Sequence, residues 1–141
     1  MKMPEIKSLS VGQVVAEKSF KISRDSLVRY AGASGDFNPI HYRDDVAKAV
    51  GLPGVLAHGM LTMGISISPV IAWAGSPAAI VDYAVRFTKP VVVPPSGHAE
   101  VKIVAVIGVI EEDASRVRVD LTTTFEDNTV LGKAQAWVKL S

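Results

Sequence analysis

The sequence predicts an α+β fold in which an antiparallel sheet curls around one long, nearly uncharged helix. Three observations carry this. No Asp, Glu, Lys or Arg occurs between Lys48 and Asp82, and the apolar residues from about Gly59 to Ala74 surround a helix rather than forming a stripe, the mark of a helix buried on most sides. Four strand-like segments follow in succession. No helical pattern separates those strands, which excludes a doubly wound α/β arrangement. A sheet of this kind exposes edges, and pairing edges across a dimer is one remedy, so a dimer or dimer-like pair is expected.

In chain order, residues 6–22 read as an entry segment and a short strand with Val14, Val15, Phe20 and Ile22 as its apolar members. Ser23 suits an N-cap and Asp25 adds negative charge to the first turn. Leu27, Val28 and Ala31 at helical spacing predict a short amphipathic helix over about Arg24–Ala33, loosened by Gly32 and Gly35. A second short helix is expected over Asp44–Val50, with Asp44 pairing Lys48 at i,i+4, Gly51 just past its end and Pro53 as a stop. Residues 52–57 form a loop. The central helix follows, kinked or divided at Pro69 and ended by Gly75-Ser76-Pro77.

The remainder reads as strands. Residues 79–88 place Val81, Tyr83, Val85 and Phe87 on one face and Asp82 and Arg86 on the other. After Pro90, Pro94, Pro95 and Gly97, residues 98–110 alternate with Val101, Ile103, Ala105, Ile107 and Val109 on one side. Residues 115–126 set Val117, Val119, Leu121 and Phe125 opposite Arg116, Arg118 and Asp120. Asp127-Asn128 signals a turn, and 129–140 make the last strand.

The 141 residues suffice for one domain, 1–141, with its own core. A net charge of +1 gives no electrostatic footprint for nucleic acid or an acidic membrane. The absence of cysteine excludes disulfides, thiolate metal sites and a cysteine nucleophile, and suits a reducing cytoplasm. Met1-Lys2-Met3-Pro4-Glu5 carries no apolar signal core. The charge-free run is broken by Gly51, Pro53, Gly54, His58, Gly59, Gly64, Pro69, Gly75 and Pro77, which favours a buried helix over a membrane span.

Chemistry concentrates in Tyr30–His41. Asp36 and His41 flank a stiff Asn38-Pro39 turn that can hold a carboxylate and an imidazole toward one cavity. Histidine titrates near neutrality, and a carboxylate beside it can orient it or work on a second proton. The Asn38 amide can fix one of these groups or the turn. An Asx-type turn with a surface aspartate and a structural histidine fits the same residues. Gly59, at a helix N-terminus, offers an unpaired N–H to a carbonyl oxygen that gains charge; a glycine needed for close packing fits equally. His58 reads as a cap or core histidine. Asp36, His41 and His58 are metal-ligating types at a spacing that matches no ligand pattern, so no metal is expected. His98 reads as solvated and Ser34 as a turn residue, and the lack of a Gly-x-Ser-x-Gly elbow argues against a serine hydrolase. Arg86 and Lys89 can meet a phosphate-bearing substrate arm or simply be solvated.

Tyr30-Ala-Gly-Ala-Ser-Gly-Asp-Phe-Asn-Pro-Ile-His41 resembles the signature of the MaoC-like (R)-specific hydratases and dehydratases. Ala57-His58-Gly59-Met60-Leu61 and Arg86-Phe87-Thr88-Lys89-Pro90-Val91 resemble their second and third landmarks, so the likeness covers nearly the whole chain. The length and the Gly59–Gly64 run are similar, more narrowly, to the catalytic subunits of heterodimeric (3R)-hydroxyacyl-carrier-protein dehydratases. The resemblance implies a hot-dog fold and reversible removal of water from a (3R)-hydroxyacyl thioester of CoA or acyl carrier protein, with no cofactor. It makes Asp36 and His41 the catalytic pair and Gly59 N–H the carbonyl-polarising donor. It puts Asn38, His58 and Met60 at the substrate. A serine lines the acyl pocket of related hydratases further along the helix; the matching region here offers Ile65, Ser66, Ile67 and Ser68, with Ser66 as the candidate. It also implies a homodimer or a heterodimer with a second hot-dog subunit. A thioesterase, or a non-catalytic acyl-binding partner subunit, is the alternative on the same fold.

Overall fold

Short connections join the predicted elements, and the structure, a computed structural model describing residues 2–140, shows what they do. Strand β1 (Val14–Ile22) feeds helix α1 (Arg24–Ser34) through a capping box: Ser23 Oγ accepts from Ser26 N–H, and Ser26 Oγ accepts from Ser23 N–H. Leu27 and Ala31 are buried. Val28, grouped with them by spacing, is exposed, because one residue along a helix is a rotation of about 100°.

Helix α2 (Asp44–Ala49) ends one residue earlier than expected and closes in a Schellman turn at Gly51, whose φ is 84°. Asp44 does not pair with Lys48. Its two carboxylate oxygens accept from Arg24 at 3.0 and 2.8 Å, and Arg24 Nε donates to Val93 O at 2.8 Å. The planar guanidinium fork grips the carboxylate at two points where the lysine could offer one, and it thereby pins α2 to the start of α1.

Helix α3 runs unbroken over Gly59–Ala74, through Pro69. A proline there lacks the N–H that would bond the Ile65 carbonyl. Ser68 Oγ donates to that carbonyl instead, at 2.8 Å, which is why the helix is not divided. Gly75 then adopts φ 81° and stops it.

The sheet has five antiparallel strands in the order β1-β3-β4-β5-β2, with β2 (Ile80–Phe87), β3 (Ala99–Glu111), β4 (Arg116–Phe125) and β5 (Asn128–Lys139). The β4–β5 hairpin turns on Glu126 and Asp127, both at positive φ, matching the twist of the strands they join. The inward residues of β3, β4 and β5, among them Ile103, Ile107, Val119 and Val138, form one cluster with Ile67, Val70 and Ala74 of α3. The sheet therefore wraps α3 on one side, which is a hot-dog fold. Edge strand β2 is less regular than its alternation suggests. Two register shifts interrupt its pairing with β5, and Val81 and Phe87 are exposed. Among the described residues no helix is long and apolar enough to cross a membrane.

Candidate active site

Gly35, in the left-handed conformation at φ 76°, ends α1 and turns the chain into the Asp36–His41 stretch. Side chains then fold that stretch onto itself. Asp36 Oδ1 accepts from Asn38 N–H at 3.1 Å, and Asn38 Oδ1 accepts from Ile40 N–H at 3.3 Å, capping a 3₁₀ turn over Pro39–His41. The Asx turn thus occupies only one carboxylate oxygen. The other, Oδ2, lies 3.8 Å from His41 Nε2.

The protonation pattern of His41 follows from its other nitrogen. Nδ1 sits 2.7 Å from the Leu56 carbonyl, which can only accept, so Nδ1 carries the hydrogen and neutral His41 presents a bare Nε2 toward Asp36. Leu56 is itself fixed, since its N–H bonds Ile40 O at 3.1 Å and it bridges Val92. His41 is buried, whereas the Asp36 side chain is 50% exposed. The imidazole is oriented by backbone, and the carboxylate faces solvent.

His58 lies behind this pair. Its ring is 1% exposed, stacks on His41 at 3.8 Å between centroids, and meets the edge of Tyr30 at 4.8 Å. Nε2–H donates to the Asp36 carbonyl at 3.1 Å, and Nδ1 has no partner among the described residues. Burial first, and then the neighbouring His41, push its pKa below 6.5, so the ring is neutral.

The next peptide unit carries Gly59 N–H at the start of α3. The carbonyl of that unit, His58 O, accepts from Thr62 N–H at 3.2 Å and from Thr62 Oγ1 at 3.4 Å. Two donors on the carbonyl polarise the peptide and point its N–H the opposite way. A cavity of about 300 Å³ is lined by His41, Gly59, Thr62, Phe87, Lys89 and Leu131, among others. A Cβ on Gly59 would come within 3.0 Å of the Phe87 ring, so the glycine lets that ring pack close against the start of α3.

The other residues singled out by sequence lie elsewhere. Asn38 is exposed, its oxygen spent on the turn. Met60 is exposed on α3 and does not line the cavity. Ser66 is fully buried below it, donating to Thr62 O at 2.8 Å and accepting from Thr123 Oγ1 at 2.9 Å. Lys89 is at the cavity with its ammonium on Asn128 Oδ1, while Arg86 is exposed on β2. His98 is exposed and remote from the pair. Thr62, the Leu56 carbonyl and the β5 wall at Val130 and Leu131 were not foreseen. Only Thr62, one turn after His58 on the same helix face, carried a readable signal.

Asp36, His41 and His58 bring metal-ligating atoms within 4.8 Å of one another. The two imidazoles are stacked with their planes only 22° apart, so their in-plane lone pairs run side by side rather than converging on one ion. The cluster suits proton transfer better than coordination.

A sheet half-wrapped around a helix, with an imidazole–carboxylate pair at that helix's N-terminal end, defines a hot-dog domain equipped for acid/base chemistry. The chain belongs to the MaoC-like family: the family model described as "MaoC like domain" matches residues 7–125. It is 43% identical over 74 residues to 3-hydroxyacyl-thioester dehydratase X of Mycobacterium tuberculosis, a match covering 52% of this chain and 25% of that protein. It is 33% identical over 93 residues to the (R)-specific enoyl-CoA hydratase of Rhodospirillum rubrum, covering 64% and 62%. A solved structure described as a MaoC-like dehydratase superposes with a TM-score of 0.95 at 35% identity, over 99% of this chain and 43% of the other. The chain thus spans less than two thirds of the length of each of these proteins.

Proposed function

We propose that this chain is a hydro-lyase that interconverts (3R)-hydroxyacyl thioesters and trans-2-enoyl thioesters. The observation that carries the reading is the bare Nε2 of His41, held 3.8 Å from Asp36 Oδ2 beside a cavity that His41 and Gly59 both line. The names of the Mycobacterium and Rhodospirillum relatives support the reaction class and the R configuration.

In dehydration, His41 Nε2 removes the α-proton while Gly59 N–H bonds the thioester oxygen as it takes on enolate charge. The C3–O bond then breaks as protonated Asp36 gives its proton to the departing hydroxyl, and water leaves. His41 ends protonated and Asp36 ionised, and passing one proton from the first to the second resets the pair. Hydration is the reverse: Asp36 takes a proton from water, the hydroxide oxygen bonds C3, and His41 returns a proton to the α-carbon. CoA and acyl carrier protein present the same pantetheine arm, and Lys89 with Thr88 at the cavity edge suits it.

The working unit is a pair of hot-dog subunits, either two copies of this chain or this chain and a second subunit. Support comes from β2 lying at the edge of the sheet, with Val81 and Phe87 exposed on it, and from exposed Met60 and Phe37 near the site.

The test is to incubate the purified protein with crotonyl-CoA and a longer 2-enoyl-CoA, following enoyl absorbance and the chirality of the product. A (3R)-hydroxyacyl thioester is expected. Free acid and thiol would instead identify a thioesterase, and binding without turnover, alone and with every partner subunit, an acyl-binding subunit.

A further inference from the structure

His58 is built into the site more tightly than a core histidine requires. It caps the backbone of α3 without a side-chain cap bond, because its ring is committed elsewhere: Nε2–H to the Asp36 carbonyl, one face to His41, and an edge contact to Tyr30. It touches neither the cavity nor solvent. It is therefore not placed to contact substrate. It joins the backbone of one member of the acid/base pair to the ring of the other.

We infer that His58 is a positioning residue, tying the Asp36 backbone to the His41 ring so that their separation is fixed and the positive charge is reserved for His41. The tether matters because the gap between Oδ2 and Nε2 is too long for a direct hydrogen bond, so nothing between the two side chains themselves sets it. The charge assignment has a geometric basis. Two stacked rings 3.8 Å apart cannot both be positively charged without strong repulsion, and of the two only His41 lines the cavity. The titratable groups facing His58 are Asp36, His41 and Tyr30. Burial keeps His58 neutral among them.

This inference rests on the hydratase reading, and two variants separate its parts. His58→Phe keeps a stacked ring and removes the donor to Asp36. His58→Gln keeps a donor and removes the ring. Each is compared with the parent for enoyl-CoA hydration, pH–rate profile, melting temperature and the NMR titration of the His41 ring. Both variants are expected to lose about 10- to 100-fold in kcat with KM within about twofold, as misplacement of a catalytic group does. His58→Gln is also expected to displace the acid limb of the profile and the His41 titration together. Folded variants with parental kcat and pH profile would overturn the inference, as would losses that merely track the unfolded fraction. If the parent turns over no hydroxyacyl or enoyl thioester, the hydratase reading fails by itself. The coupling then stands if His58→Gln moves the His41 titration and falls if it does not.

Discussion

His41 owes its usable nitrogen to a carbonyl fifteen residues away. Leu56 O accepts from Nδ1–H and so leaves Nε2 of the neutral ring without a hydrogen. Replacing His41 with Ala, or Asp36 with Asn, is expected to lower kcat/KM by about 10²- to 10⁴-fold with the fold retained, measured by enoyl-CoA hydration and circular dichroism. Thr62→Val removes one of two donors from the carbonyl whose peptide presents Gly59 N–H. A drop of about tenfold in kcat is expected, smaller than that for losing an oxyanion donor outright. At this scale the pair was legible in advance, because Asp36, Asn38, Pro39 and His41 sit in one turn where local stiffness can be argued. Leu56 O and the His58 stack were not, because both depend on distant segments arriving at the same point. The Asx-turn reading and the acid/base reading also proved compatible, since they use different oxygens of Asp36.

Helix α3 shows how an element survives a local fault. An interior proline costs a helix about 3 kcal/mol, yet Ser68 covers the carbonyl that Pro69 leaves open. Ser68→Ala is expected to destabilise the protein by about 1–2 kcal/mol in urea unfolding. In a Pro69→Ala background the same change is expected to cost much less, because the N–H that the substitution restores then serves the Ile65 carbonyl. That double-mutant cycle tests the substitution of hydroxyl for amide. The bounds of α3 were legible from its charge-free run and Gly75. Its continuity was not, because a break at proline is the rule and the exception lies in one serine rotamer. Likewise the partner of Asp44 was sought within its own helix and found in Arg24, since local spacing does not reveal what folds across the helix end.

At the scale of the whole molecule, one long helix followed by four strands was enough to give the architecture, but the sheet order was not readable. β2 could have paired with β3 through the Pro-rich loop and instead pairs with β5. The exposed side chains on and near β2 predict a dimer in sedimentation experiments, and Phe87→Glu with Val81→Lys is expected to shift the protein toward monomer. Global stability should also report His58. Its folded pKa is below 6.5, so between that value and 6.5 the unfolded chain binds more protons than the folded one. Its contribution is fully present above pH 6.5 and is lost as pH falls from there toward the folded value. The urea midpoint of His58→Phe should therefore fall less steeply than the parent's across that window.

The pairing of β2 with β5 also has a consequence for synthesis. Asp36, His41 and the Gly59 amide are all translated before the wall formed by Val130 and Leu131, which follows the amide by about seventy residues. Phe87 aligns with Leu131, so the third landmark waits without its partner strand while more than forty residues are added. A nascent chain thus carries Asp36, His41 and Gly59 well before the cavity beside them has its far wall. During that interval an apolar helix and an unpaired strand are open to solvent, which makes this segment of the chain a natural client for chaperones that bind exposed apolar stretches.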